Sequence, residues 1–66
     1  MANKLKEMRF QRMMTMSELA RRSGISRATI WMLETQPNKV TTNKTMDALA
    51  KALDMKVNDI FFADSV

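Results

Sequence analysis

Gly24 is the only glycine in the chain, and it stands between two segments that each carry a helix-starting signal. Upstream, Thr15-Met16-Ser17-Glu18 has the form of a capping box. The Thr15 hydroxyl can accept from the Glu18 amide, and the Glu18 carboxylate can reach back to the amide of Thr15. A helix over residues 16–22 follows, and Ser23-Gly24 stops it, because glycine takes the left-handed conformation that a helix end favours. Downstream, Ser26 comes after Ile25 alone and is a good cap for a further helix over residues 27–35. Two helices joined by so short a turn must lie close together. Small Ala20 lets the second approach the first, Gly24 takes the strained backbone, and Ile30 fills the space between them.

The flanking segments read as helices too. Residues 3–13 are rich in Lys, Glu, Leu, Met and Arg, with Leu5, Met8 and Arg9 on one face and Arg12 one turn further on. Gln36-Pro37-Asn38-Lys39 is a loop, since proline disfavours helix at the residue before it. A fourth helix opening at Thr41 or Thr42 carries Met46, Leu49, Ala50 and Leu53 at i, i+3, i+4 and i+7, one apolar stripe. A short fifth helix over residues 57–62 turns Val57, Ile60 and Phe61 inward. The Val/Ile/Thr runs that signal strands are absent. The expectation is an all-α, compact five-helix domain spanning residues 1–66.

Composition narrows the function classes. A chain of 66 residues has room for one domain with a small core, which leans on efficient helix packing or a dimer for stability. With no Cys and no His, disulfides and ordinary zinc sites are excluded. The commonest general base and the thiol nucleophile are missing as well, and one glycine cannot build a phosphate loop. An enzyme is therefore not expected, and no metal, cofactor or small-molecule ligand is implied. Eleven Lys and Arg against seven Asp and Glu leave a net charge of +4, which points to a polyanion, nucleic acid before membrane. No run approaches the ~18 apolar residues of a membrane span, and the N-terminus shows no secretion signal, so a cytoplasmic location is expected.

With Leu19, Ile25 and Leu33, the Ala20, Gly24 and Ile30 set fits a helix-turn-helix, whose second helix can enter a DNA major groove. A purely structural helix pair could show the same geometry. A wider pattern bears on the choice: Leu5, Met8-Arg9, Thr15-Met16-Ser17-Glu18-Leu19-Ala20, Gly24-Ile25-Ser26-Arg27-Ala28-Thr29-Ile30, Leu33-Glu34, then Leu49-Ala50-Lys51-Ala52-Leu53 and Asn58-Asp59-Ile60-Phe61. Over nearly its whole length the chain resembles the XRE-type (lambda repressor/Cro-like) helix-turn-helix family. Its members include the DNA-binding domains of lambdoid phage repressors, Cro proteins and many small bacterial regulators.

The resemblance implies a lambda-repressor-like fold, a double-stranded DNA partner and a set of residue roles. Arg9 and Glu34 would form a buried ion pair joining the first helix to the end of the third. Arg27, Ala28, Trp31 and Met32, at the start and on the outward face of the third helix, would read bases, with Met16 and Ser17 beside the same groove. Arg27 is the strongest candidate, since arginine can grip guanine O6 and N7 together. Ser26, Thr29, Asn38, Lys39, Thr42 and Lys44 would contact phosphates. For each lysine an ordinary solvated charge is an equal alternative.

Three departures from the family pattern matter. Met16 stands where a Gln or similar polar residue usually begins the second helix, and Trp31 and Met32 occupy outward positions that are normally polar. The loop from Glu34 to Leu53 is one residue longer than the pattern and carries Pro37 where the family often has Lys or Arg. An apolar recognition face can still contact thymine methyls. It also suits a protein partner, since Trp, Met and Arg are enriched at interfaces. A rival function is therefore an antirepressor or partner module that binds another repressor through Trp31 and Met32. A shifted register, with Trp31 in the core, is the plainer alternative. Phe62, about 100° around from a core-facing Phe61, is a candidate homodimer contact. A small transcriptional regulator from a phage or other mobile element is the resulting expectation. Antitoxins share the fold, but usually need a toxin-binding segment that these residues do not show.

Overall fold

The computed structural model describes residues 3–61. Five helices follow one another: α1 (Leu5–Gln11), α2 (Met16–Ser23), α3 (Arg27–Thr35), α4 (Asn43–Ala52) and α5 (Val57–Ile60). There is no strand among the described residues, so the fold is all-α. Side-chain caps start the three central helices. Thr15, Ser26 and Thr42 accept the amides of Glu18, Thr29 and Thr45, each satisfying a donor that has no partner within its helix. Only half of the box expected at Thr15 forms this way: the Glu18 carboxylate is drawn to the Arg22 guanidinium at 2.8 Å, one turn along the same helix. At α5, Asp59 Oδ2 accepts from the Lys56 amide at 3.1 Å.

Helix ends differ from expectation where the backbone turns left-handed without glycine. α1 is shorter than residues 3–13 at both ends. Asn3 stays outside the helix and its Oδ1 accepts from the Leu5 amide at 2.9 Å. At the other end Met13 adopts φ 56°, with its amide on Phe10 O at 2.9 Å and the Met14 amide on Arg9 O at 3.2 Å. That pair of bonds is a Schellman ending. α4 closes in the same way through Asp54, also at φ 56°, with Asp54 N–H on Lys51 O and Met55 N–H on Ala50 O. α5 ends at Ile60 rather than Phe62, with Phe61 as its C-cap. The proposed dimer contact Phe62 lies outside the described residues.

Every helix sends side chains to one core: Leu5 from α1, Leu19 from α2, Ile30 and Leu33 from α3, Leu49 and Ala50 from α4 and Ile60 from α5, joined by Leu53 and Phe61. Met8, Met14, Met16, Ala20, Ile25, Met46, Ala52, Met55 and Val57 pack around it. α2 lies against both α3 and α4, while α1 rests on α3 and α5 on α4. Polar ties hold the periphery. Asn3 Nδ2 donates to Leu33 O and Pro37 O at 3.0 and 3.2 Å, and the Lys4 amide donates to Ile60 O at 2.7 Å. Arg12 Nε and Nη2 donate to Leu53 O and Asp54 O at 2.8 and 3.2 Å, so a side chain following α1 covers carbonyls at the end of α4. Cations are favoured there because those carbonyls have no partner within the helix.

Candidate nucleic-acid interface

The turn between α2 and α3 is built as its sequence requires. Gly24 sits at φ 76° with its amide on Ala20 O at 2.9 Å. A Cβ there would meet nothing within 4 Å, so backbone conformation rather than space calls for glycine. Ser23 Oγ accepts from the Ile25 amide at 3.1 Å, and Ile25 leans on the core. Ser26 then caps α3, its Oγ accepting from Thr29 N–H at 3.2 Å and donating to Thr29 Oγ1 at 2.9 Å.

The register of α3 is set by Ile30 and Leu33, both wholly buried. Arg27, Ala28 and Trp31 consequently face outward, and Trp31 is 56% exposed rather than a core residue. These three and Met16, from the start of α2, line one shallow recess of about 300 Å³. The recess therefore joins the first turn of α2 to the first half of α3. Met16 has a double role: it is half-buried, packs on the core and still reaches the recess. Ser17 is exposed beside it on α2. Met32, grouped with Trp31 in the sequence, is half-buried and does not line the recess. Successive residues of a helix diverge by about 100°, which separates the two.

The expected phosphate contacts divide into groups. Ser26 and Thr29 lie at the N-terminal turn of α3, bonded to each other. Thr42 caps α4 and bonds Thr45 Oγ1 at 3.0 Å. Lys44, in the first turn of α4, lines a second recess between α2 and α4 with Arg22, Ser23, Asp47 and Lys51. Asn38 and Lys39 are exposed in the loop after α3.

Arg9 and Glu34 meet in a two-pronged pair, Nε to Oε2 at 2.7 Å and Nη2 to Oε1 at 2.9 Å, with side chains only 8% and 1% exposed. The remaining prong, Nη1, donates to Met14 O at 2.8 Å. The hydrogen bond to Glu34, helped by its charge, holds the Arg9 guanidinium above its ordinary pKa against the opposing effect of burial. Arg9 also stacks 4.8 Å above the Phe10 ring. The pair anchors the C-terminal half of α3 to α1, leaving the N-terminal half to present the recess.

Two positioning residues escaped the sequence reading, Asn3 and Arg12. An Asn two residues before an apolar helix start is a recognisable Asx-turn signal, its side chain accepting from the backbone amide two residues on. No local signal marks Arg12, whose partners lie 41 and 42 residues away.

The pattern that defines the Cro/C1-type HTH DNA-binding domain matches residues 4–63. The chain belongs to this family of DNA-binding helix-turn-helix domains. No curated protein and no solved structure matches it. Among the described residues no helix is long and apolar enough to cross a membrane.

Proposed function

We propose that the protein is a sequence-specific transcriptional regulator, a repressor or Cro-like switch protein of a phage or mobile element, that places α3 in the major groove. The observation that carries this reading is the split of α3 into a buried face, Ile30 and Leu33, and an open one, Arg27, Ala28 and Trp31. Arg27 takes a guanine edge, Met16, Ser17, Ala28 and Trp31 complete the reading surface, and Met32 borders it. Ser26, Thr29, Asn38, Lys39, Thr42 and Lys44 hold the phosphates on either side. Binding as a homodimer sets two half-sites about one helical turn apart.

The test begins with selection of duplexes from a randomised pool by the full chain, followed by titration at several salt concentrations. A selected sequence whose affinity falls steeply with salt is expected. Arg27→Ala should weaken it by roughly 5- to 150-fold, the span of about 1–3 kcal/mol for one bidentate base contact, with the thermal midpoint unchanged. A selected duplex indifferent to Arg27→Ala removes the assigned role of Arg27. The open Trp31 favours one other function, an antirepressor that docks on a second repressor. Trp31 is the chain's only tryptophan, so its emission reports directly on that face. Emission unmoved by DNA at low salt would favour the antirepressor.

A further inference from the structure

We infer that the recess formed by Met16, Ala28 and Trp31 beside Arg27 is a thymine-specificity pocket that receives the C5-methyl group of a thymine close to the guanine taken by Arg27. The inference rests on the DNA-binding reading and adds which base the apolar part of the face selects.

Three properties of the recess lead to this occupant. Its lining is apolar apart from Arg27: a thioether, a methyl and an indole. At about 300 Å³ and widely open, it accepts the edge of one base. Its hydrogen-bonding capacity is also one-sided. The Arg27 guanidinium and the Trp31 indole N–H only donate, and the Met16 sulfur is a weak acceptor. In the major groove thymine shows an O4 acceptor and a methyl group, whereas cytosine shows an N4 amino donor. Thymine therefore sets its methyl group against the apolar walls, and its O4 meets a lining that asks for no donor. Cytosine would leave its amino group without a strong acceptor, at a desolvation cost, and would leave the apolar walls uncovered.

Position follows from helix geometry. Arg27 and Trp31 are four residues apart, about 6 Å along α3 at 1.5 Å per residue. That is roughly two steps along a DNA strand at 3.4 Å each, so the thymine lies within about two base pairs of the guanine. Thr29 and Ser26 are bonded to each other in the first turn, leaving Arg27 and, one turn further on, Trp31 as the long exposed side chains of this half of α3.

The decisive experiment replaces each thymine of a selected duplex, one at a time, by deoxyuridine. This removes a single methyl group and leaves every hydrogen-bonding atom in place. Affinity is read by anisotropy of labelled DNA with the full chain. At one thymine per half-site, within two base pairs of the guanine whose replacement abolishes the effect of Arg27→Ala, uracil should weaken binding by about fourfold, the value of one buried methyl. Trp31→Ala should bind the thymine and uracil duplexes equally, while Trp31→Phe, which keeps an apolar wall, should still tell them apart. Uracil tolerated at every thymine, or Trp31→Ala that still discriminates, overturns the pocket while leaving DNA binding intact. A pool that yields no bound duplex at low salt overturns the DNA-binding reading, and the pocket with it.

Discussion

The two ends of α3 invert the usual placement of charge and apolar surface. At its C-terminal end a carboxylate, Glu34, is sealed inside against Arg9, with 1% and 8% of the two side chains exposed. Towards its N-terminal end an indole, Trp31, stands 56% exposed next to Met16 and Ala28. Burying charge is costly unless it is fully paired, and Arg9 meets that condition with bonds from all three guanidinium nitrogens. Exposing an indole leaves out of the core apolar area that could have joined the nine buried apolar residues among those described. The same helix thus spends one end on being held in place and the other on being left open. A binding surface kept separate from its anchor can vary in sequence without loss of the fold.

Variants at the two ends should fall in different classes. The largest effect is expected at the anchor. Arg9→Ala orphans the buried Glu34 carboxylate and should cost about 3–5 kcal/mol in urea unfolding, while the double change Arg9→Met with Glu34→Leu, which removes both charges, should recover most of that loss. A loss below about 1 kcal/mol for Arg9→Ala would mean that the pair opens to water in solution. A smaller loss is expected from Arg12→Ala. It uncovers the Leu53 and Asp54 carbonyls at the more exposed junction of α1 and α4 and should cost about 1 kcal/mol, read as a lower thermal midpoint. At the open end Trp31→Ala should leave unfolding free energy within about 0.5 kcal/mol of the parent. A larger destabilisation there would show that Trp31 supports the fold and would erase the contrast between the two ends.

How legible each feature was depends on how far apart its partners lie in the chain. The caps at Thr15, Ser26 and Thr42 act on amides three residues away, so the starts of α2 and α3 could be read directly and that of α4 to within a residue or two. The stripe of Met46, Leu49, Ala50 and Leu53 shows in the periodicity because a helix repeats every 3.6 residues. The left-handed ends at Met13 and Asp54 were hidden, since neither is glycine and each is exposed, held by the pair of backbone hydrogen bonds that closes its helix. Part of the candidate site was readable: Arg27, Ala28 and Trp31 share a face once Ile30 and Leu33 are taken as core. The family resemblance set Met16 beside the same groove, and Met16 does share a recess with α3; Met32, grouped with Trp31 in the sequence, is half-buried because successive helix residues diverge by about 100°.

The amino-acid sequence by itself determined five short helices, the glycine turn that brings two of them together, the basic charge and the family. These follow from dihedral preference, capping and periodicity, all of which act within a turn or two of chain. The tertiary structure alone decided that Arg12 would reach the end of α4, that Asn3 would tie the N-terminal segment to the end of α3, and that Met16 would pack on the core while still closing one side of the recess against Trp31. Those contacts join residues 15 to 42 positions apart, and only the packed core brings them within reach.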